Sequence, residues 1–285
     1  MKNKTLKIIA LAVALLLIGF ILVFANAMVG NPFSKWMAKS SAEKHLEENY
    51  SGRDFVIEEV FYSFKDGNYY ARVKSPTSMD SSFSLGFDGW GRFYYDSYES
   101  DVASRWNTVR RLSTEYRDMV DEVLKSPDFP YTSHIDFGDL KFIHPEENRE
   151  NIYPGLDYGC PMENLELDKN YDMKEMGKKH GRLVLYIESQ ELTAEKAAEI
   201  MLGVKKIMDE KEVTFFAMDF TLELPRNKES LPQDIKTLNI LNFPYTDIYE
   251  ENMVERVEKA IAETQAYYDF MDQQREEEFQ KIVEK

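Results

Sequence analysis

Cysteine is almost missing from this 285-residue sequence, with Cys160 standing alone, so no intrachain disulfide can staple the fold. Within Tyr158-Gly159-Cys160-Pro161 it is read as a small buried residue rather than a nucleophile or an intermolecular pairing site. A basic surplus is missing too. Lysine and arginine total 35 against 51 acids, a net charge of −16, and no basic stripe breaks the acidity. Such a surface repels phosphate backbones, which excludes a nucleic-acid binder. It is also repelled by anionic lipid headgroups, which favours a body held at the membrane by its anchor alone, and it serves solubility.

Catalytic and metal motifs are equally scarce. The phosphate loop, the dinucleotide fingerprint, G-x-S-x-G and H-E-x-x-H are all absent. The four histidines, His45, His134, His144 and His180, are scattered, and His144 with Glu147 is too small a set for zinc. Ser41-Ala42-Glu43-Lys44 has the spacing of the S-x-x-K serine enzymes, but no S-D-N or K-T-G follows. Asp136-Phe137-Gly138 matches a kinase metal tripeptide without a kinase around it. Asp168, Asn170 and Asp172 sit at the first three ligand spacings of a calcium loop. Met173 stands where the turn glycine belongs and Lys179 where the closing glutamate belongs. Neither a metal nor a cofactor is expected.

Long apolar runs are lacking everywhere but at one place. Ile8 to Phe24 carries no charge, and Ala25 to Val29 extend it to about 20 residues, enough to cross a bilayer as a helix. Lys2, Lys4 and Lys7 precede it, which points to a signal anchor with the C-terminal bulk outside the cytoplasm. Ala25-Asn26-Ala27 fits a signal-peptide cleavage site, so a secreted form cut after Ala27 is the alternative; the length of the run favours the anchor. Lys35, Lys39 and Lys44 follow the span and weaken the charge asymmetry, leaving the inverted topology open.

Beyond the anchor the sequence is well patterned. Asn31-Pro32 starts a helix whose Ala38, Ala42, Leu46 and Tyr50 share a stripe. Phe55 to Phe64, Tyr69 to Lys74, Phe83 to Phe87 and Phe93 to Tyr98 read as antiparallel strands, the first pair joined at Asp66-Gly67. A long helix is expected from Asp101 to Lys125, with Val102, Trp106, Val109, Leu112, Tyr116 and Met119 inward. Ser126-Pro127-Asp128-Phe129-Pro130 stops it.

A short strand over 133–137 precedes an irregular connection over 144–180. Strand 182–188, a helix capped by Thr193, strand 213–224, a turn between Pro225 and Pro232, and strand 238–245 follow. In strand 213–224, Asp219 is expected on one face with Val213, Phe215 and Ala217, its burial raising its pKa unless it is paired. A last helix begins near Asp247, and a charged tail past Asp272 is expected to fray or stand free.

The fold class is therefore α+β. Residues 1–30 form the anchor, 31–128 a helix-plus-antiparallel-sheet domain, 129–271 a two-layer α/β domain, and 272–285 a charged tail. The run comprising Asn31-Pro32-Phe33, Ala42-Glu43-Lys44, Glu58 to Gly67 and Tyr69 resembles the YfjL-like proteins of Gram-positive bacteria. The resemblance implies an N-terminal anchor with two extracytoplasmic domains and no assigned activity. The helix-plus-hairpins unit is also similar in layout to PepSY-type modules, small extracytoplasmic domains linked to protease regulation, though no residue carries over.

Among Trp90, Phe93, Tyr94, Tyr95 and Tyr98, a binding surface built on Trp90, Tyr94 and Tyr98 is the one candidate site. The expected function is non-catalytic binding of a protein or envelope component. The alternative is an extracytoplasmic hydrolase whose site converges from distant residues. A pocket holding two or more titratable groups would favour the enzyme.

Overall fold

The computed structural model describes residues 2–144, 158–225 and 236–283. The chain is α+β and divides into two compact units. One comprises residues 1–108 and 166–168; the other comprises 109–165 and 169–285.

In the first unit, α1 (Lys2–Val29) is long and apolar enough to span a membrane. Gly30, at φ +70°, ends it, and Asn31 caps α2 (Pro32–Asn49) by accepting the Ser34 N–H. The junction is held by the sheet. The Tyr62 hydroxyl donates to Ala27 O, 2.9 Å, and the Asn31 N–H donates to the Tyr69 hydroxyl, 2.8 Å. A Cβ on Gly30 would lie 2.6 Å from that Tyr69 oxygen, so only glycine fits the turn.

Strands β1 (Val56–Ser63), β2 (Asn68–Lys74), β3 (Ser82–Phe87) and β4 (Phe93–Asp96) form an antiparallel meander in that order. Ala38 and Ala42 of α2 are fully buried against Ala71, Val73, Leu85 and Phe87, small residues letting the helix approach the sheet closely. At the β2–β3 turn, Asp168 accepts hydrogen bonds from the Ser78 hydroxyl and the Met79 and Asp80 amides at 2.7, 2.7 and 3.1 Å. The fully buried Asp80 in return accepts the Asp168 N–H and the Thr108 hydroxyl, both at 2.9 Å.

The expected helix from Asp101 is shorter and broken. Glu99–Ala103 is a π-helical turn, Arg105 takes φ +71°, and α3 runs from Trp106 to Leu124. The break shifts the helical phase. Val102 joins the first core, Trp106 is 46% exposed instead of buried, and the inward stripe starts at Val109, in the second core.

That second core is larger. Sheet β10–β9–β8–β5 comprises β5 (Ser133–Leu140), β8 (Gly181–Glu188), β9 (Ala217–Glu223) and β10 (Thr237–Pro244). Strands β8 and β9 are parallel and the outer pairs antiparallel, because α5 (Ala194–Glu210) carries the chain across between them. Leu185, Phe220, Met201 and Tyr116 from sheet, α5 and α3 are all buried in this core. Strands β6 (Phe142–Ile143) and β7 (Cys160–Pro161) form a short parallel pair.

The connection expected to be irregular contains α4 (Met173–His180), capped by Asp172; its stretch 145–157 lies outside the described residues, as does Pro232 of the expected turn. Strand β9 starts at Ala217, so Asp219 shares its face with Thr221 and Glu223 rather than with Val213 and Phe215. The last helix, α6 (Met253–Val283), begins later than expected. It runs on through the charged segment expected to fray or stand free: the described residues past Asp272 are helical and exposed, with pairs such as Arg275–Asp272 along them.

Candidate functional site

Strand alternation in the first unit turns Tyr69, Ala71 and Val73 toward α2 and leaves Tyr70 and Arg72 on the opposite, open face. Register puts Phe61 opposite Tyr70 and Gly86 beyond it on β3. On β4 the pairing slips: Gly86 faces Tyr95 and Phe87 faces Phe93. Tyr94 is the extra residue of a bulge, which aims it onto the open face together with Tyr95.

The rings run across the sheet. Phe61 stacks on Tyr70 with centroids 5.8 Å apart, and Tyr94 meets Tyr70 edge-on at 6.3 Å. A Cβ on Gly86 would come within 2.9 Å of the Tyr94 ring, so this glycine makes room for it. Hydroxyls then chain along the strip: Tyr94 donates to Tyr70 at 2.7 Å, and Tyr70 donates to Asp66 at 2.5 Å. The Tyr70 hydrogen bond holds the Asp66 carboxyl below the ordinary aspartate range, and the same carboxylate raises the Tyr70 phenol. Arg72 covers Phe61, 5.6 Å from its centroid, and pairs with Glu59 at 2.7 Å. The surface is aromatic and uncharged at its centre, and each ring has a neighbour that packs on it or bonds to it.

The three residues singled out from the sequence do not meet on this face. Tyr94 lies on it. Tyr98 packs on the opposite side, among Tyr50, Phe83 and Phe55. Trp90 is at the tip of the β3–β4 turn, 74% exposed. Phe93 also turns away, stacking on His45 at 4.3 Å. Phe61 and Tyr70, absent from the sequence-based set, complete the strip; their signal was the register of the β1–β2 hairpin.

The second unit brings charges together. Arg182 lies 3.2 Å from Asp139 and 3.5 Å from Asp219. Asp219 also accepts the Asn242 N–H at 2.7 Å, yet burial still raises its pKa above the usual aspartate range. The Tyr158 ring stacks on Phe216 at 4.7 Å with the Lys141 ammonium 4.6 Å above it. Burial, then the Asp219 charge, keeps its phenol protonated. Cys160 is buried and its thiol pushed up by desolvation, so it is not a thiolate at neutral pH.

Both carboxylates converge on one guanidinium. An open groove of about 240 Å³ lies between β10 and α6, lined by Leu238, Asn239, Ile261, Gln265 and Tyr268, and burial, then neighbouring charges that include Asp219, raise the Tyr268 phenol.

The other sequence motifs are absorbed by structure. Lys44 of the S-x-x-K run reaches Glu48 along α2. Of the calcium-like run, Asp168 binds the β2–β3 turn and Asp172 caps α4 through the Lys174 and Glu175 amides. Among the described residues no group of three or more His, Cys, Asp or Glu is placed to hold a metal.

A family model for the YfjL-like N-terminal domain matches residues 5–97, and one for the YfjL-like C-terminal domain matches residues 115–258. The chain belongs to the YfjL-like family. The YfjL-like N-terminal match spans α1 through β4 and so includes the aromatic strip. The C-terminal match includes the Asp139–Arg182–Asp219 triad. The likeness of layout to PepSY-type modules finds no support in these matches. No curated protein and no solved structure matches the chain.

Proposed function

We propose that this YfjL-like protein is held in the cell membrane by α1 with both domains outside the cytoplasm. There it binds another protein or an envelope component without catalysing a reaction. The observation that carries the reading is the open face of the first sheet. Phe61, Tyr70, Tyr94 and Tyr95 line one surface, fixed by stacking and by the hydroxyl chain to Asp66. Rigid aromatic surfaces bind with little entropy left to lose. A hydrolase reading needs a free acid and base in a cavity. Asp139 and Asp219 instead share Arg182, and the lining of the groove beside α6 holds Tyr268 but no acid–base pair.

The test is a photo-crosslinking residue at Tyr95, 43% exposed, in native membranes. A discrete adduct that vanishes when Tyr70→Ser breaks the strip supports the reading, whereas unchanged adducts sink it. Reporter fusions after residue 50 check the orientation: activity of a cytoplasm-only reporter overturns the outward topology.

A further inference from the structure

The meander determines which loops share an end of the first sheet. In an antiparallel order β1–β2–β3–β4, the β1–β2 and β3–β4 turns lie at one end and the β2–β3 turn at the other. The end holding the first and third turns is the end where α1 leaves. Tyr62 of β1 donates from its hydroxyl to Ala27 O in the last turn of α1, and a Cβ on Gly67, in the β1–β2 turn, would lie 3.9 Å from that same hydroxyl. In the β3–β4 turn, a Cβ on Gly91 would lie 3.1 Å from Met37, and one on Gly89 would lie 4.0 Å from Ser34 Oγ, both in the first two turns of α2.

Four large apolar side chains are left uncovered at this end: Phe33 and Trp36 of α2, 63% exposed each, Phe64 at 61% and Trp90 at 74%. Phe33 and Trp36 stack with centroids 6.0 Å apart. On a helix Cβ atoms tilt toward the N-terminus, so both lean back toward α1. The exposed Lys35 and Lys65 stand among them. Exposed aromatics flanked by cations, a few residues beyond an apolar span, have the composition of a bilayer interface, where amphipathic rings sit at headgroup level and lysines reach phosphate.

We propose that this end of the first domain is seated in the headgroup layer of the membrane, with Trp36, Trp90 and Phe64 as its collar and Lys35 and Lys65 on lipid phosphates. The occupant is the phospholipid bilayer itself. The inference rests on α1 being the anchor. The seated turns also carry the anions Asp66 and Asp88, but Arg92 pairs with Asp88 at 2.6 Å, so Lys35 and Lys65 outweigh Asp66 locally, and the rest of the chain's net charge of −16 is screened beyond about 10 Å. Seated this way, the β2–β3 turn with Asp80 and Asp168 points away from the lipid, and the aromatic strip stands beside the membrane.

The chain has three tryptophans, and Trp106 lies outside the collar. Single-tryptophan variants of the full chain, with the other two changed to Phe, are reconstituted into phosphatidylcholine–phosphatidylglycerol vesicles. These vesicles carry lipid brominated near the top of the acyl chains. Trp36 is near the anchor and serves as reference; Trp90 decides. The expected result is quenching of Trp90 at least roughly twofold stronger than that of Trp106. Chains that float with vesicles while Trp90 is quenched no more than Trp106 overturn the collar and leave the anchor intact. Chains that do not float overturn the anchor and the collar with it. Should the Phe substitutions unfold the domain, Phe64→Cys in a Cys160→Ser background, labelled with a small fluorophore, reads the same depth. Quenching of the label supports the seat, and its absence removes it.

Discussion

Two four-stranded sheets in one chain solve the same packing problem differently. The first is a meander of consecutive hairpins closed on one face by α2. The second needs a parallel pair, a helical crossover and a strand, β5, that joins β8 across the intervening residues 141–180. Local pairing needs little core, and the first sheet leaves its far face open and aromatic. Non-local pairing must be repaid by burial, and the second unit has the larger core, with Leu183, Leu185, Met201, Met208, Phe220 and Leu222 fully buried. The difference extends to acids. Asp66 at the rim of the first sheet is held ionised by Tyr70, whereas Asp219 on the second is pushed toward its neutral form by burial.

The largest expected effect breaks the comparison at the core. Phe220→Ala should cost about 3–5 kcal/mol, since Phe220 is fully buried. Amide exchange should quicken in β8 and β9 while β2 and β3 keep their protection. Equal loss in both sheets would mean that the two cores unfold as one.

Next in size is Arg182→Met, which leaves Asp139 and Asp219 facing each other without their shared cation. The expected loss is about 1–3 kcal/mol in denaturant unfolding, reduced from the value for a fully buried pair because Arg182 is itself 36% exposed. No loss would show that the triad is held by its backbone partners alone.

The smallest effects have opposite signs. Asp66 has a depressed folded-state pKa, so its contribution is present above the unfolded value and lost as pH falls through the folded one. Asp219 has a raised folded-state pKa, so the folded state holds its proton longer, and stability falls as pH climbs from the ordinary aspartate value to the raised one. Asp66→Asn should therefore flatten the acid loss, and Asp219→Asn should flatten the fall above it, each read from unfolding midpoints across pH. Slopes of the same sign for both would refute the contrast.

Much of the first sheet was legible because hairpins write themselves locally. Asp66-Gly67, the alternation from Tyr69 to Lys74 and the Ala38–Ala42 stripe all act within a few residues. The candidate surface was only half legible. Tyr94 could be named from its neighbourhood, but alternation alone cannot foresee a bulge, and the bulge is what separates Tyr94 and Tyr95 from Phe93. Tyr98 follows the end of β4 and so returns to the α2 side. The long helix was readable by period, but not the break at Arg105 that assigns Val102 to one core and Val109 to the other.

By itself the sequence determined the apolar span, the acidic character, the absence of disulfides and the α+β alternation, since each depends on composition or on contacts a few residues apart. Only the tertiary structure decided that residues 166–168 close the β2–β3 turn, that Arg182 answers two carboxylates, and that the rings of Phe61, Tyr70 and Tyr94 share a face. Those arrangements depend on strand register and loop closure between distant segments, and no local pattern of residues encodes them.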